Sequence, residues 1–167
     1  VRAAPPLSTG RRNHAAVLLR SGRVLVLGGA NAGGGALASV EMYDPVTNAW
    51  SAAASLAVAR GGATATLLND GRVLVVGGET GGTMLASAEL YDPVANSWTS
   101  ATSLTVARSG HVAVVLADGQ VLVAGGMGAG SSLVAAAEIY NASENTWSAA
   151  GVLATARQEA SATRLLD

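Results

Sequence analysis

Three short runs along the chain are apolar at every position: Val24-Leu25-Val26-Leu27, Val73-Leu74-Val75-Val76 and Val121-Leu122-Val123-Ala124. A strand with no polar face must be covered on both sides. Each run follows a turn signal, Ser21-Gly22, Asp70-Gly71 or Asp118-Gly119, and each ends at a Gly pair. Asp-Gly favours the positive φ that two-residue hairpins need, and Ser-Gly is a weaker version of the same signal. A helical reading fails, because the runs are short, β-branched and interrupted by Gly every few residues.

The second run shows the whole pattern. Residues 63–68 form a strand a, Asn69-Asp70-Gly71 a turn, 72–76 a strand b, 87–92 a strand c, Pro93-Val94-Ala95-Asn96 a turn, and 97–100 a strand d. Asp44-Pro45 and Asp92-Pro93 suit the start of the c–d turn, since Pro presets φ and lacks a donor. The third unit has Asn141-Ala142 there, which predicts a less rigid turn.

This pattern recurs every 48 or 49 residues. The recurring positions are Arg11, Arg60, Arg108 and Arg157; Gly28-Gly29, Gly77-Gly78 and Gly125-Gly126; Glu41, Glu89 and Glu138; Tyr43, Tyr91 and Tyr140; and Trp50, Trp98 and Trp147. A period near 50 residues points to propeller blades. Complete units are predicted at 11–59, 60–107 and 108–156. Residues 1–10 align with a strand d and its exit, and 157–167 with a strand a that stops at its hairpin. The expected architecture is therefore all-β: three four-stranded antiparallel blades with one flanking strand at each end. Propellers usually close with four to eight blades. A chain of this size is expected to complete its ring with another copy of itself or with further blades of a longer parent. The start at Val1 is expected to be a processed or excised end.

Composition narrows the function classes. The chain has 167 residues, is 50% hydrophobic and 13% charged, and carries a formal net charge of −1. That is a folding composition, not a disordered one. All ten basic residues are Arg and they are scattered, which excludes the concentrated basic face of a nucleic-acid binder. No Cys is present, so disulfides, thiolate catalysis and Cys-ligated metals are excluded. No apolar run approaches the length of a membrane span. An extracellular or cell-surface location is favoured over a cytoplasmic one.

In the order Gly-Gly, Tyr-Asp-Pro, Trp, the chain resembles kelch repeats. The Arg-x-x-His opening (His14, His111) and the Asp-Gly-Arg-Val-Leu-Val phrase resemble the bacterial, galactose-oxidase-like branch. The resemblance implies a β-propeller of four-stranded blades. A galactose-oxidase-like enzyme would also carry a copper site built on a Cys-linked Tyr. This chain has no Cys, and its Tyr residues belong to the repeat, so no cofactor is expected.

The frame has a physical reading of its own. Strand direction alternates in a meander, so the start of a, the end of b and the start of c lie on one face. Arg60, Gly77-Gly78 and Glu89 should converge there. Glu89, with Glu41 and Glu138 alike, is expected either to accept backbone N–H groups near the Gly pair or to pair with a repeat Arg, tying blade to blade. The Gly pair suits positive φ or close backbone approach. Tyr and Trp add apolar area to a small-residue core.

Little is left to carry chemistry. The Gly-rich stretch from Gly28 to Gly35 has neither the Gly-Lys-Ser/Thr nor the following helix of a phosphate loop. Two His on equivalent strands make a poor metal site and are expected to pack or hydrogen-bond near the axis. Asn141-Ala142-Ser143 reads as a repeat turn rather than a glycosylation site. The expected function is a non-catalytic binding or scaffold module. Its variable b–c loops (30–38, 79–86, 127–135) would hold a protein or carbohydrate ligand. The rival is a fragment of a kelch enzyme whose catalytic residues lie outside this chain.

Overall fold

The computed structural model describes residues 3–165. Three four-stranded antiparallel sheets dominate it, each with its strands in sequence order. The first holds β1 (Ala15–Leu18), β2 (Val24–Leu27), β3 (Val40–Asp44) and β4 (Ala49–Ala53). The second holds β5 (Thr64–Leu67), β6 (Val73–Val76), β9 (Ala88–Asp92) and β10 (Ser97–Ala101). Its b–c loop folds into a two-stranded ribbon, β7 (Glu79–Thr80) and β8 (Thr83–Met84). The third holds β11 (Val112–Val115), β12 (Val121–Ala124), β13 (Ala136–Asn141) and β14 (Thr146–Val152).

The first strands of neighbouring sheets, β1, β5 and β11, lie side by side, which sets the sheets around a common axis as blades. The two-sided apolarity of the b strands now has its cause. Side chains alternate along a strand. Val73, Val75 and Tyr91 pack with Leu19, Leu25, Leu27, Val40 and Leu56 of the first blade. Leu74, Val76, Ala88 and Leu90 pack with Val121, Val123 and Tyr140 of the third. Each fully buried Leu or Val in such a layer contributes roughly 1.5–3 kcal/mol relative to exposure.

Among the described residues the two predicted flanking strands are not formed. Residues 3–10 and 157–165 contain no strand, and the outermost residues of both predicted strands (1–2 and 166–167) lie outside the described residues. A strand exists only as part of a ladder. The c strand that would pair with 1–10 and the b strand that would pair with 157–167 are not in the sequence. The third c–d turn also closes on a side-chain acceptor. Asn141 Oδ1 accepts from Ser143 N at 3.1 Å and from Ser143 Oγ at 2.8 Å. The equivalent bonds from Val46 N to Asp44 and from Val94 N to Asp92 are 2.9 and 2.8 Å. Asn supplies the same carbonyl-type acceptor as Asp, so the turn closes without Pro.

Candidate functional site

Arg60 occupies the loop from β4 to β5 and belongs to two blades at once. Its backbone carbonyl accepts Gly29 N–H at 2.8 Å and its N–H donates to Leu37 O at 3.1 Å, both in the first blade. Its guanidinium turns the other way. Nη1 donates to Gly77 O at 2.8 Å and Ser87 O at 2.9 Å, and Nη2 to Ser87 Oγ at 3.1 Å and Glu89 Oε1 at 2.7 Å. Glu89 also accepts the N–H groups of Ala57 and Val58, at 2.8 and 3.3 Å, from the exit of the first blade. The carboxylate donors are thus the exit-loop peptides and the Arg, not the peptides of the Gly pair.

The same stitch appears at the other repeats. Arg108 Nη1 reaches Gly125 O and Ala136 O at 3.0 and 2.7 Å, and Nη2 reaches Glu138 at 2.7 Å. Ala136 replaces Ser there, so one hydroxyl bond is missing. Arg11 reaches Gly28 O, Ser39 O, Ser39 Oγ and Glu41, the last at 2.6 Å. All three guanidiniums are fully buried. Burial pushes the pKa of Arg60 and Arg108 down, and the adjacent carboxylate opposes that fall. Burial also works against the Glu41 carboxylate, yet the Ser8 hydrogen bonds and Arg11 hold its pKa below the usual range.

The Gly pair needs its missing side chains. Gly77 and Gly78 have φ of +63° and +99°, and a Cβ on either would sit 2.5 Å from Arg108 O or 2.8 Å from Gly61 O. Outward along the blade, Tyr and Trp face each other across β3–β4, β9–β10 and β13–β14, with ring centroids 5.1, 4.8 and 5.0 Å apart. Tyr91 and Tyr140 are fully buried against the preceding blade, whereas Tyr43, with no blade on that side, is half-buried.

Two further repeat sets lie outside the frame read from the sequence. Asn48, Asn96 and Asn145 precede each Trp by two residues and adopt positive φ. Each accepts the hydroxyl of its own Tyr, at 2.7, 2.8 and 2.9 Å. Asn96 and Asn145 also accept the N–H of Ala54 and Thr102 from the preceding blade. The indoles of Trp98 and Trp147 donate to the carbonyls of those same residues. The recurrent Asn-x-Trp was the available signal. Around the axis, Gly62 N donates to Asn13 O, Gly110 N to Gly62 O and Glu159 N to Gly110 O, at 2.9, 2.9 and 2.8 Å. These four residues also share positive φ.

The end of the axis bearing the b–c loops holds a depression of about 380 Å³, whose lining includes Asn13, His14, Glu79, Ser109, His111, Met127 and Glu159. The loops around it are built differently. The first is closed by Asn31, which accepts Gly35 N–H, the second is the β7–β8 ribbon, and the third is a single 3-10 turn, Ala129–Ser131. The two His of the repeat opening part company here. His14 is exposed. His111 is buried, with Nε2 at 2.9 Å from Thr64 Oγ1 of the neighbouring blade and Nδ1 without a partner. Burial, and then the charge of Arg108, push its pKa down to about 3. It is neutral wherever the protein is folded near neutrality.

A larger furrow of about 540 Å³ lies at the opposite end, between the a–b turn of the first blade and the a–b and c–d turns of the second. It recurs between the second and third blades, at about 360 Å³, with the equivalent turns as lining. A feature that repeats with the blade is a product of blade stacking. Among the described residues no three His, Cys, Asp or Glu are grouped to hold a metal ion, and no helix is long and apolar enough to cross a membrane.

Four-stranded blades, set around an axis and stitched by a buried Arg–Glu pair beside a Gly pair, define a kelch-type β-propeller. The chain belongs to the kelch-repeat family: residues 1–165 match the KLHDC2/KLHL20/DRC7 Kelch-repeats domain. Among solved structures it is similar to YjhT, with a TM-score of 0.75 and 18% identity over 90% of this chain and 54% of that one. The chain therefore spans about half the length of that structure. No curated protein matches it.

Proposed function

We propose that the chain is a non-catalytic protein-interaction module whose binding surface is the loop-bearing axial end. The observation that carries this reading is the contrast between the stitch and the loops. The Arg, Glu, Tyr, Trp, Asn and Gly of the repeat are occupied in holding blades together. The b–c loops above the same frame take three unrelated forms. Function on a repeat scaffold resides where the units differ. A photo-crosslinking residue at Asn31, Thr80 or Ser132 should then capture a common partner protein, and one at Val46 or Val94 on the furrow end should not. Capture only from the furrow end, or equally from both, would overturn the assignment. We further propose that the blade row is completed through its ends, by a second copy or by adjoining kelch blades. Blade faces bury apolar layers, and the outer faces of the first and third blades leave Leu18 61% exposed and Leu122 and Ile139 only half-buried.

A further inference from the structure

The following rests on the end-to-end reading and gives it a partner and a set of contacts. Arg157 already sits as a stitch residue. Its carbonyl accepts Gly126 N–H at 2.7 Å, as Arg60 and Arg108 accept Gly29 and Gly78. Its Nε donates to Thr155 O at 3.2 Å, as Arg60 Nε does to Val58 O at 3.3 Å. Beyond that the resemblance stops. Arg157 is exposed, and among the described residues its Nη groups have no partner. Gly151 is in the same condition. At the equivalent Ala54 and Thr102 the carbonyl accepts an indole N–H and the N–H donates to an Asn. Gly151 makes neither bond among the described residues. The stretch 151–157 thus presents the donors and acceptors that a kelch blade takes up.

The first blade offers that complement: Trp50, Asn48, Glu41, Ser39 and Gly28. In the structure these are taken by residues 3–11. Trp50 donates to Pro5 O at 2.9 Å, Ser8 N to Glu41 at 2.8 Å, and Arg11 fills the stitch. The two segments share a register, since Ala3, Ala4, Leu7, Thr9 and Arg11 recur as Ala149, Ala150, Leu153, Thr155 and Arg157. Residues 3–11 are the poorer occupant. Pro5 has no N–H for the Asn48 carbonyl, and Arg11 Nε is buried without a partner. Gly151 has that N–H, and Arg157 Nε is already satisfied.

We propose that residues 149–157 of one copy of this chain replace residues 3–11 on the first blade of a second copy. Arg157 of one chain then pairs with Glu41 of the other. The exchange trades one set of hydrogen bonds for a slightly fuller one. It also brings the open face of the third blade against the half-exposed Tyr43 of the first, which supplies the net gain.

The test is multi-angle light scattering of the full chain across the micromolar range. The wild type should exceed the monomer mass. Arg157→Ala should be monomeric and still folded by circular dichroism, because its guanidinium contacts nothing buried. Arg11→Ala should associate more strongly, by about tenfold in dissociation constant, because it frees Glu41 for the incoming Arg. Ser8→Pro, which deletes one N–H to Glu41, is a milder release should Arg11→Ala fail to fold. A monomeric wild type, or an Arg157→Ala chain that associates as the wild type does, overturns the proposal. Crosslinking from the axial loops in a wild-type chain that proves monomeric would leave the interaction-module reading intact while this one fails.

Discussion

Arg60 Nη2 lies 2.7 Å from Glu89 Oε1, and both side chains are shut away from solvent. The same guanidinium satisfies the carbonyls of Gly77 and Ser87. Truncation therefore removes five hydrogen bonds at once, to Val58 O, Gly77 O, Ser87 O, Ser87 Oγ and Glu89 Oε1. Arg60→Ala should lower unfolding free energy by about 3–5 kcal/mol, the range for breaking a buried pair. Arg23 and Asp44 make a 3.0 Å pair at the surface, with the Arg side chain 52% exposed. Arg23→Ala should leave the urea midpoint essentially unchanged. Denaturant titration of both variants checks the contrast, and equal losses would refute it.

Asn96 joins Tyr91 of its own blade to the Ala54 peptide of the preceding one. Its amide oxygen serves two buried or half-buried donors from a residue at positive φ. Asn96→Ala should cost roughly 2–3 kcal/mol, combining unsatisfied donors with backbone strain. Asn48→Ala should cost less, because Pro5 gives that oxygen no peptide N–H to hold. Thermal melts of the two variants side by side would show the order.

Gly77 and Gly82 both have positive φ, yet they should respond differently to a methyl group. A Cβ on Gly77 meets Arg108 O at 2.5 Å, whereas Gly82 looks into open space. Gly82→Ala should cost only the conformational strain, about 1 kcal/mol. Gly77→Ala must push two blades apart and should prevent a cooperative fold. Retention of a sharp unfolding transition in Gly77→Ala would show that the blades can separate.

His111 gives the fold an acid limit. Its pKa is near 3 in the folded chain, against an ordinary value of 6.5. The unfolded chain therefore binds a proton below pH 6.5 that the folded chain refuses until about pH 3. Its neutral form leaves stability intact above pH 6.5, and that stability drains as pH falls through the window down to about 3. The deficit reaches about 2 kcal/mol by pH 5. His111→Gln, which keeps a group able to meet Thr64, should flatten this part of the stability–pH curve. An unchanged slope would exclude His111 as its source.

Much of this was legible in the sequence because each blade must solve the same problem. Four strands, a Gly pair under close approach and an Arg–Glu pair each left a residue type at a fixed spacing. Asn48, Asn96 and Asn145 went unread because Asn in a turn has a sufficient local explanation, and its longer bonds to Tyr and to the next blade leave no extra mark. The different fates of His14 and His111 were also hidden. Both open an a strand, but only His111 has a neighbouring Thr64 to cover it. The end segments misled for a related reason: a strand-like sequence forms a strand only where a ladder partner exists.

The hydrogen-bonded line through Asn13, Gly62, Gly110 and Glu159 runs one way only, each N–H reaching back to the carbonyl before it. A row built on such a line has unlike ends, a donor at one and an acceptor at the other. Any association that continues the row would join a third blade to a first: copies could follow one another in a cycle or a filament, but could not meet like end to like end. The polarity of any assembly is thus settled by peptide direction beside the axis, before a single side chain at its rim is considered.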